Sequence, residues 1–110
     1  MHKVKDLNKF CVKENSSLQS VLEKIEINGF KFVVVLNQKN RLLGIITDGD
    51  IRRAVLKKNT FNLIAKNITN KKLFYLFERE LSKLSETKKL KNISQIPVVN
   101  KDKKLTALYI

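Results

Sequence analysis

One short stretch of this 110-residue chain carries side chains suited to binding an anionic ligand. Thr47 ends an apolar run typical of a buried strand, and Asp50 falls in the first turn of the helix predicted after it. A hydroxyl, a carboxylate and free backbone N–H groups then lie together at a helix start. The hydroxyl and N–H groups suit a phosphate, and the carboxylate suits sugar hydroxyls. Arg52 or Arg53 can neutralise phosphate charge, although neighbouring helix positions cannot both point inward.

The same residues allow a purely structural interpretation. Threonine before a helix and aspartate in its first turn are common capping residues, whether or not a ligand binds. In that case Thr47 only ends a strand, and Asp48 and Asp50 only cap a helix.

The elements around this stretch follow from the spacing of apolar residues and turn signals. A short strand is predicted at 10–12, and then Ser16 with Gln19 forms a capping box for a helix that stops at Gly29. Strands are predicted at 32–36 and 42–47, followed by a helix over 50–56. The helical crossover implies parallel pairing with the first strand, and the short turn implies an antiparallel hairpin.

The second half of the chain repeats this pattern after a connector at 59–70. A strand is predicted at 73–76, and Leu81, Leu84 and Leu90 mark a weak helix. Segment 95–100 matches 32–37, with Pro97 expected at an edge or bulge. Segment 105–110 matches 42–47.

The second repeat departs from the first at the ligand-binding stretch. When the two repeats are aligned, Ala107 corresponds to Gly44 and Ile110 corresponds to Thr47. The second repeat contains no counterpart of Asp50 or of the closing helix. Two such repeats together offer two similar clefts, and only the cleft built on Thr47 and Asp50 is therefore expected to keep its polar residues. The missing helix is expected to leave apolar sheet surface uncovered, namely Val99, Leu108 and Ile110.

The spacing Gly44-x-x-Thr47-x-x-Asp50 resembles the nucleotide-contact motif of the cystathionine-β-synthase (CBS) domain. The string from Thr47 to Arg53 is similar to the CBS modules attached to sugar-phosphate isomerases and sugar-nucleotide transferases. This resemblance implies an α+β fold of tandem CBS repeats, with repeats at 1–58 and 71–110 and the second one incomplete.

The resemblance also implies a function. The expected ligand is an adenine nucleotide (AMP, ADP or ATP) or a related nucleoside phosphate, and the expected role is regulation of an attached or partner enzyme. Pocket residues implied besides the motif are Phe30, Lys31, Ile46 and Ile96. A homodimer is expected, and the position of the module suggests a nucleotidyltransferase domain that follows outside this chain.

Composition restricts the other function classes. The formal net charge is +13, but lysines are spread over loops and helix ends, arginine is scarce, and there is no Trp. This distribution argues for a solvated lysine coat over a nucleic-acid surface. The lone Cys11 and the single histidine, His2, lack partners for catalysis or metal binding, so we expect neither an enzyme nor a metal site. No secretory signal or membrane span is evident, so a cytoplasmic location is expected.

Two alternatives stay open at this stage. The first is an assembly module without a ligand, since CBS pairs commonly dimerise through their helices. The second is a basic nucleic-acid binder, which predicts a steeply salt-dependent affinity.

Overall fold

A computed structural model describes all residues 1–110 and contains two three-stranded sheets and four helices. The first repeat comprises β1 (Cys11–Lys13), α1 (Leu18–Asn28), β2 (Phe32–Leu36), β3 (Leu42–Thr47) and α2 (Asp48–Lys58). A short helix, α3 (Ala65–Ile68), lies in the connector. The second repeat comprises β4 (Leu76–Phe77), α4 (Leu84–Lys91), β5 (Ile96–Val99) and β6 (Leu105–Tyr109). None of the four helices has the length and apolar content needed to span a bilayer.

Both sheets have the same topology, which confirms the predicted α+β repeat. Within each sheet the central strand pairs parallel with the strand before the helix and antiparallel with the strand after the hairpin turn. Each hairpin has a register shift at the same place, after Val35 in the first repeat and after Val98 in the second. The strand registers therefore make Ala107 the structural counterpart of Gly44, as the sequence predicts.

Each sheet has an inner face toward the other repeat and an outer face toward its own helices. The two inner faces share one core, to which the first repeat contributes Phe32, Val34 and Ile45 and the second contributes Val99 and Leu108. The outer face of the first sheet packs under its helices in a second core. A smaller third core covers the outer face of the second sheet.

The prediction that Val99, Leu108 and Ile110 are uncovered is wrong. Val99 and Leu108 are fully buried on the inner face, and Ile110 packs against the same core. A closing helix belongs on the outer face, where Ile96 and Val98 are the counterparts of Val33 and Val35. Those two residues are themselves buried, because Met1, Phe74, Leu84 and Ile93 pack over them.

Each repeat lends an extended segment to the sheet of the other. Asn70, which leads into the second repeat, pairs with Ile45 of β3 through N–O distances of 2.8 and 3.1 Å. Lys3, which leads into the first repeat, pairs with Tyr109 of β6. These two backbone pairings, one in each direction, hold the repeats together around the core that their inner faces share.

Several local predictions differ in position from the structure. The N-cap of α1 is Ser17, whose hydroxyl accepts the Ser20 N–H, because Ser16 hydrogen-bonds the connector through its backbone carbonyl. Strand β4 is two residues long and begins opposite Val98, so the preceding Pro97 can occupy the central strand without breaking a ladder bond to it. Helix α2 begins at Asp48, two residues before the predicted start.

Candidate functional site

Thr47 and Asp50 cap α2 reciprocally. The Asp50 N–H donates to Thr47 Oγ1 at 3.2 Å, and Asp50 Oδ2 accepts the Thr47 N–H at 2.9 Å. The other carboxylate oxygen, Oδ1, accepts from the Arg53 guanidinium at 2.9 Å, and the Asp50 side chain is 12% exposed. The helix-capping role that these two residues can have without a ligand is therefore present in the structure. Because each oxygen has further lone pairs, these bonds leave both groups able to contact a ligand.

An open cleft of about 280 Å³ lies between the two repeats, next to the end of β3. Its lining joins the first repeat to two segments of the second, one before β4 and one at the start of β5, through Ile45, Lys72, Leu73, Phe74, Ile93, Gln95 and Pro97. Thr47 is two residues beyond Ile45 and therefore lies on the same face of β3. Thr47 and Asp50, at the start of α2, are not in the lining of this cleft.

The charge of the cleft favours an anion. Lys72 is the one charged residue in its lining, and no carboxylate contributes to it. The Lys72 backbone N–H donates to Asn70 Oδ1 at 3.0 Å, which fixes the turn that carries this side chain. An apolar wall from Ile45, Phe74 and Pro97 faces this cation, so the cleft combines surfaces for a flat apolar group and for a phosphate.

The two arginines of the motif lie outside the cleft. Arg53 is held by Asp50 and is 67% exposed at its side chain. Arg52 is exposed and lines a different groove, on the helical face, with Leu22 and Leu56. Lys72 is therefore the cation that the cleft offers.

The remaining predicted pocket residues are dispersed. Ile46 and Ile96 are fully buried in two separate outer-face cores, so neither side chain lines the cleft. Lys31 lies near the start of α2, where its carbonyl accepts the Asp48 N–H at 3.2 Å. Phe30 packs on Phe10 with ring centroids 5.6 Å apart. The structure thus does not bring these four side chains together around Thr47.

Aromatic side chains occupy the place that corresponds to the cleft on the other side of the molecule. The strand registers make Phe30, Phe32 and Val34 the counterparts of Ile93, Gln95 and Pro97. Phe10 contacts both Phe30 and Phe32, with centroids 5.6 and 5.8 Å apart. Ile110 packs beside this cluster at the position of Thr47.

Sequence reasoning missed Lys72, Phe74 and Gln95 as cleft residues. Lys72 and Phe74 reach the cleft because the connector crosses to the sheet of the first repeat at Asn70. That crossing depends on tertiary structure and has no local sequence signal. Gln95 had a signal, because a polar residue stands there where the first repeat has Phe32.

Other reactive groups offer no second site. Burial raises the pKa of the Cys11 thiol from 9.0 to about 11, against the smaller opposing effects of Lys24 and Lys13, so the thiol stays protonated near neutral pH. No three His, Cys, Asp or Glu side chains are grouped so as to hold a metal ion.

Comparison with known proteins finds one matching family model, which covers the first repeat. The model of the CBS domain family matches residues 4–57. No curated protein sequence shows a significant match.

Several solved structures resemble nearly the whole chain. Staphylococcus aureus OpuCA superposes with a TM-score of 0.78 at 16% identity, covering 97% of this chain and 86% of its own. CBSX2 in complex with AMP gives 0.76 at 17% identity, covering 98% and 84%. The CBS domain pair of MJ0100, in complex with 5′-methylthioadenosine and S-adenosyl-L-methionine, gives 0.70 at 19% identity, covering 91% and 79%. At these identities the likeness establishes the fold.

Proposed function

Residues 4–57 form a CBS domain and the chain has the fold of a CBS domain pair; from this premise we propose that the protein binds an adenine nucleotide or related nucleoside phosphate between its repeats. The observation that carries the proposal is the inter-repeat cleft of about 280 Å³, which is lined by Lys72 and by Ile45, two residues before Thr47 on β3. Adenosine-containing ligands in CBSX2 and MJ0100 support the ligand class.

Each part of the ligand has a proposed partner. The base lies against Ile45, Phe74 and Pro97, which form the apolar wall. Asp50 accepts hydrogen bonds from the ribose hydroxyls through its remaining lone pairs. Lys72 and the Thr47 hydroxyl contact the phosphate.

The proposed consequence of binding is regulation. The cleft is lined by β3 of the first repeat and, in the second repeat, by the segment before β4 and the start of β5, so a ligand in it contacts both repeats at once. A ligand that fits one arrangement of the repeats better than another shifts the population toward it. We propose that this shift controls an attached or partner enzyme, a nucleotidyltransferase of sugar-nucleotide metabolism being the candidate suggested by the motif from Thr47 to Arg53.

Calorimetric titration with AMP, ADP, ATP and S-adenosylmethionine tests the proposal. We expect saturable binding of at least one of them with one site per chain. Asp50→Ala should weaken it about ten- to hundredfold, as expected for lost hydrogen bonds to a charged group. Asp48→Ala is the matched control, because Asp48 is an exposed carboxylate in the same helical turn and lies outside the cleft. Unchanged affinity in a folded Asp50→Ala protein would refute the assignment.

A second variant separates phosphate binding from base binding. Lys72→Met keeps the length of the side chain and removes its charge. If Lys72 contacts the phosphate, the preference for AMP over adenosine should largely disappear in this variant while adenosine binds as before. Loss of both ligands together contradicts the phosphate role of Lys72.

We also propose a homodimer through the helical face, for which a separate observation speaks. Leu22, Leu56 and Phe61 are 45%, 74% and 77% exposed, and with Ile51 and Val55 they line one groove of about 300 Å³. Exposed apolar surface of this kind favours association. Leu56→Lys should shift the protein to monomer in sedimentation velocity. Leu90→Lys is the matched control, because Leu90 on α4 is also 74% exposed and lies outside the groove. Equal behaviour of both variants argues against this interface.

A further inference from the structure

The two β-hairpin turns of the molecule lie against each other. Arg41 of the first turn pairs antiparallel with Lys104 of the second. The Leu42 N–H donates to the Lys103 carbonyl at 3.0 Å, and the Leu105 N–H donates to the Asn40 carbonyl at 3.2 Å. Segments that are far apart in the sequence therefore form one end of the molecule.

This contact concentrates cations that look scattered in the sequence. We call this end the hairpin surface, and its cations are Lys13, Lys39, Arg41, Lys101, Lys103 and Lys104. Lys13 belongs to it because its amine hydrogen-bonds Asn40 and the Asn37 carbonyl in the first turn. All but the half-buried Lys13 are exposed.

The cations of the hairpin surface lack carboxylate partners. The ion pairs of the structure are Arg53 with Asp50 and Lys83 with Glu80, both elsewhere in the molecule. Asp102 is the one carboxylate in either turn. Like charges held close together repel one another and create a positive potential that attracts anions.

Aromatic rings border the same surface. Lys103 stands over the ring of Tyr75 at 5.3 Å, and the Arg79 guanidinium stands over Phe77 at 4.4 Å. The two rings meet edge to face with centroids 5.7 Å apart, and both are half-buried. Phe77 and Arg79 also line an open concavity with Lys101 and Asn100, in which Glu78 is the one carboxylate against two cations. Rings interleaved with cations are the combination on which unpaired bases stack while phosphates follow the charges.

We propose that the hairpin surface binds single-stranded nucleic acid without strict sequence preference. The phosphates contact the cations of the two turns, and bases stack at Tyr75 and Phe77. The aromatic rings favour this ligand over a lipid surface or a duplex, since stacked duplex bases cannot reach them. This site lies apart from the inter-repeat cleft, whose lining shares no residue with it.

The test compares two variants of equal charge. Arg41→Gln with Lys103→Gln removes two cations from the hairpin surface, and Lys57→Gln with Lys58→Gln removes two exposed cations from the end of α2. Binding of a short fluorescein-labelled oligothymidylate is followed by anisotropy over a range of salt concentrations. The hairpin variant should reduce the slope of log affinity against log salt by about 1.4, which is the value for two phosphate contacts on a single strand. The Lys57/Lys58 variant should leave the slope unchanged.

A third variant tests stacking. Tyr75→Leu keeps apolar packing against the inner core and removes the stacking ring. We expect affinity to fall about five- to hundredfold, with thermal unfolding close to that of the unchanged protein. The proposal is overturned if the oligonucleotide does not bind, if the two charge variants weaken binding equally, or if Tyr75→Leu has no effect. It is also overturned if phosphatidylserine vesicles or a duplex bind more tightly than the single strand.

Discussion

The two repeats share one backbone pattern but use the space between them differently. At the end of β3, Thr47 lies two residues beyond Ile45, which lines an open cleft together with Gln95. At the corresponding end of β6, Ile110 stands beside a cluster that includes Phe32 and Phe30. The strands are in the same register on both sides. A few side chains therefore decide whether this backbone encloses a polar cleft or an aromatic core.

The repeats also differ where the extended segments cross them. On the first repeat the backbone of Asn70 passes so close to Gly44 that an added Cβ atom would lie 2.3 Å from the Asn70 carbonyl oxygen. On the second repeat the corresponding residue is Ala107, which has a Cβ atom and is 9% exposed. The crossing that carries Lys72 into the cleft is therefore the tighter of the two.

Gly44→Ala should have the largest effect. The new Cβ meets backbone, which cannot swing aside as a flexible side chain can, and it also lies 2.6 Å from the Thr69 methyl group. We expect the free energy of unfolding in urea to fall by about 3 kcal/mol. Ala107→Gly, the reverse change in the second repeat, should cost about 1 kcal/mol through chain entropy. Equal losses of unfolding free energy for the two variants would show that the backbones are packed equally closely at the two crossings.

The second prediction concerns the strands that begin each repeat. Cys11 on β1 and its counterpart Tyr75 both pack against the inner core, and the Tyr75 ring also contacts a lysine. Because burial raises the pKa of the Cys11 thiol to about 11, its thiolate population at pH 8 should be about a hundredfold below that of an unfolded cysteine.

A disulfide reagent should therefore react with Cys11 about a hundred times more slowly in the native protein than in urea. The folded state keeps the proton that the unfolded chain releases above pH 9, so stability should fall between about pH 9 and pH 11. Cys11→Ala should remove this fall. Equal reaction rates in native and unfolded protein would contradict the burial of Cys11.

The third prediction concerns a variant that fills the open cleft with a ring, as Phe32 fills the corresponding place on the other side. Gln95→Phe places at the cleft the residue type that Phe32 supplies on the other side. The ring should occupy much of the 280 Å³ and weaken nucleotide binding at least about tenfold, or about 1.4 kcal/mol. Ser94→Phe is the control, because Ser94 is exposed and lies outside the cleft lining. If Gln95→Phe binds nucleotide normally, the ligand lies elsewhere.

Much of the fold could be predicted from the sequence because the signals are local. The strands β2 and β3, the hairpin between them and the stop of α1 at Gly29 follow from β-branched runs, turn residues and a glycine at φ 74°. Which face of a strand meets which partner is not local. The predicted exposure of Val99 and Leu108 was wrong because an inner core between the repeats buries them.

The candidate site was predicted in part for the same reason. The motif residues Thr47 and Asp50 are neighbours along the chain, and the structure holds them together through reciprocal hydrogen bonds. The cation of the cleft, Lys72, comes from a segment that reaches β3 only through the backbone pairing of Asn70 with Ile45. No spacing in the sequence indicates that pairing.

The smallest predicted effect compares the caps of the two repeats. Asp50 accepts the Thr47 N–H while Thr47 accepts the Asp50 N–H, so two bonds support α2. In the second repeat a 3-10 helix spans Glu78–Lys83, and at its start Glu80 accepts the Phe77 N–H at 3.0 Å, but Phe77 has no hydroxyl to return the bond. Asp50→Ala should lower the free energy of unfolding by about 1 kcal/mol, and Glu80→Ala by about half as much.

Urea unfolding of both variants without ligand measures this difference. The exposed Arg53 adds little to the loss, since an ion pair with one partner largely in water contributes weakly. The size of the Asp50→Ala effect also decides how its ligand titration is interpreted. If the variant loses about 1 kcal/mol but stays folded, a loss of nucleotide affinity reports on the binding site and not on unfolding. Asp50→Asn then separates ligand contact from capping, because the amide oxygen can still cap the helix while the charge is lost.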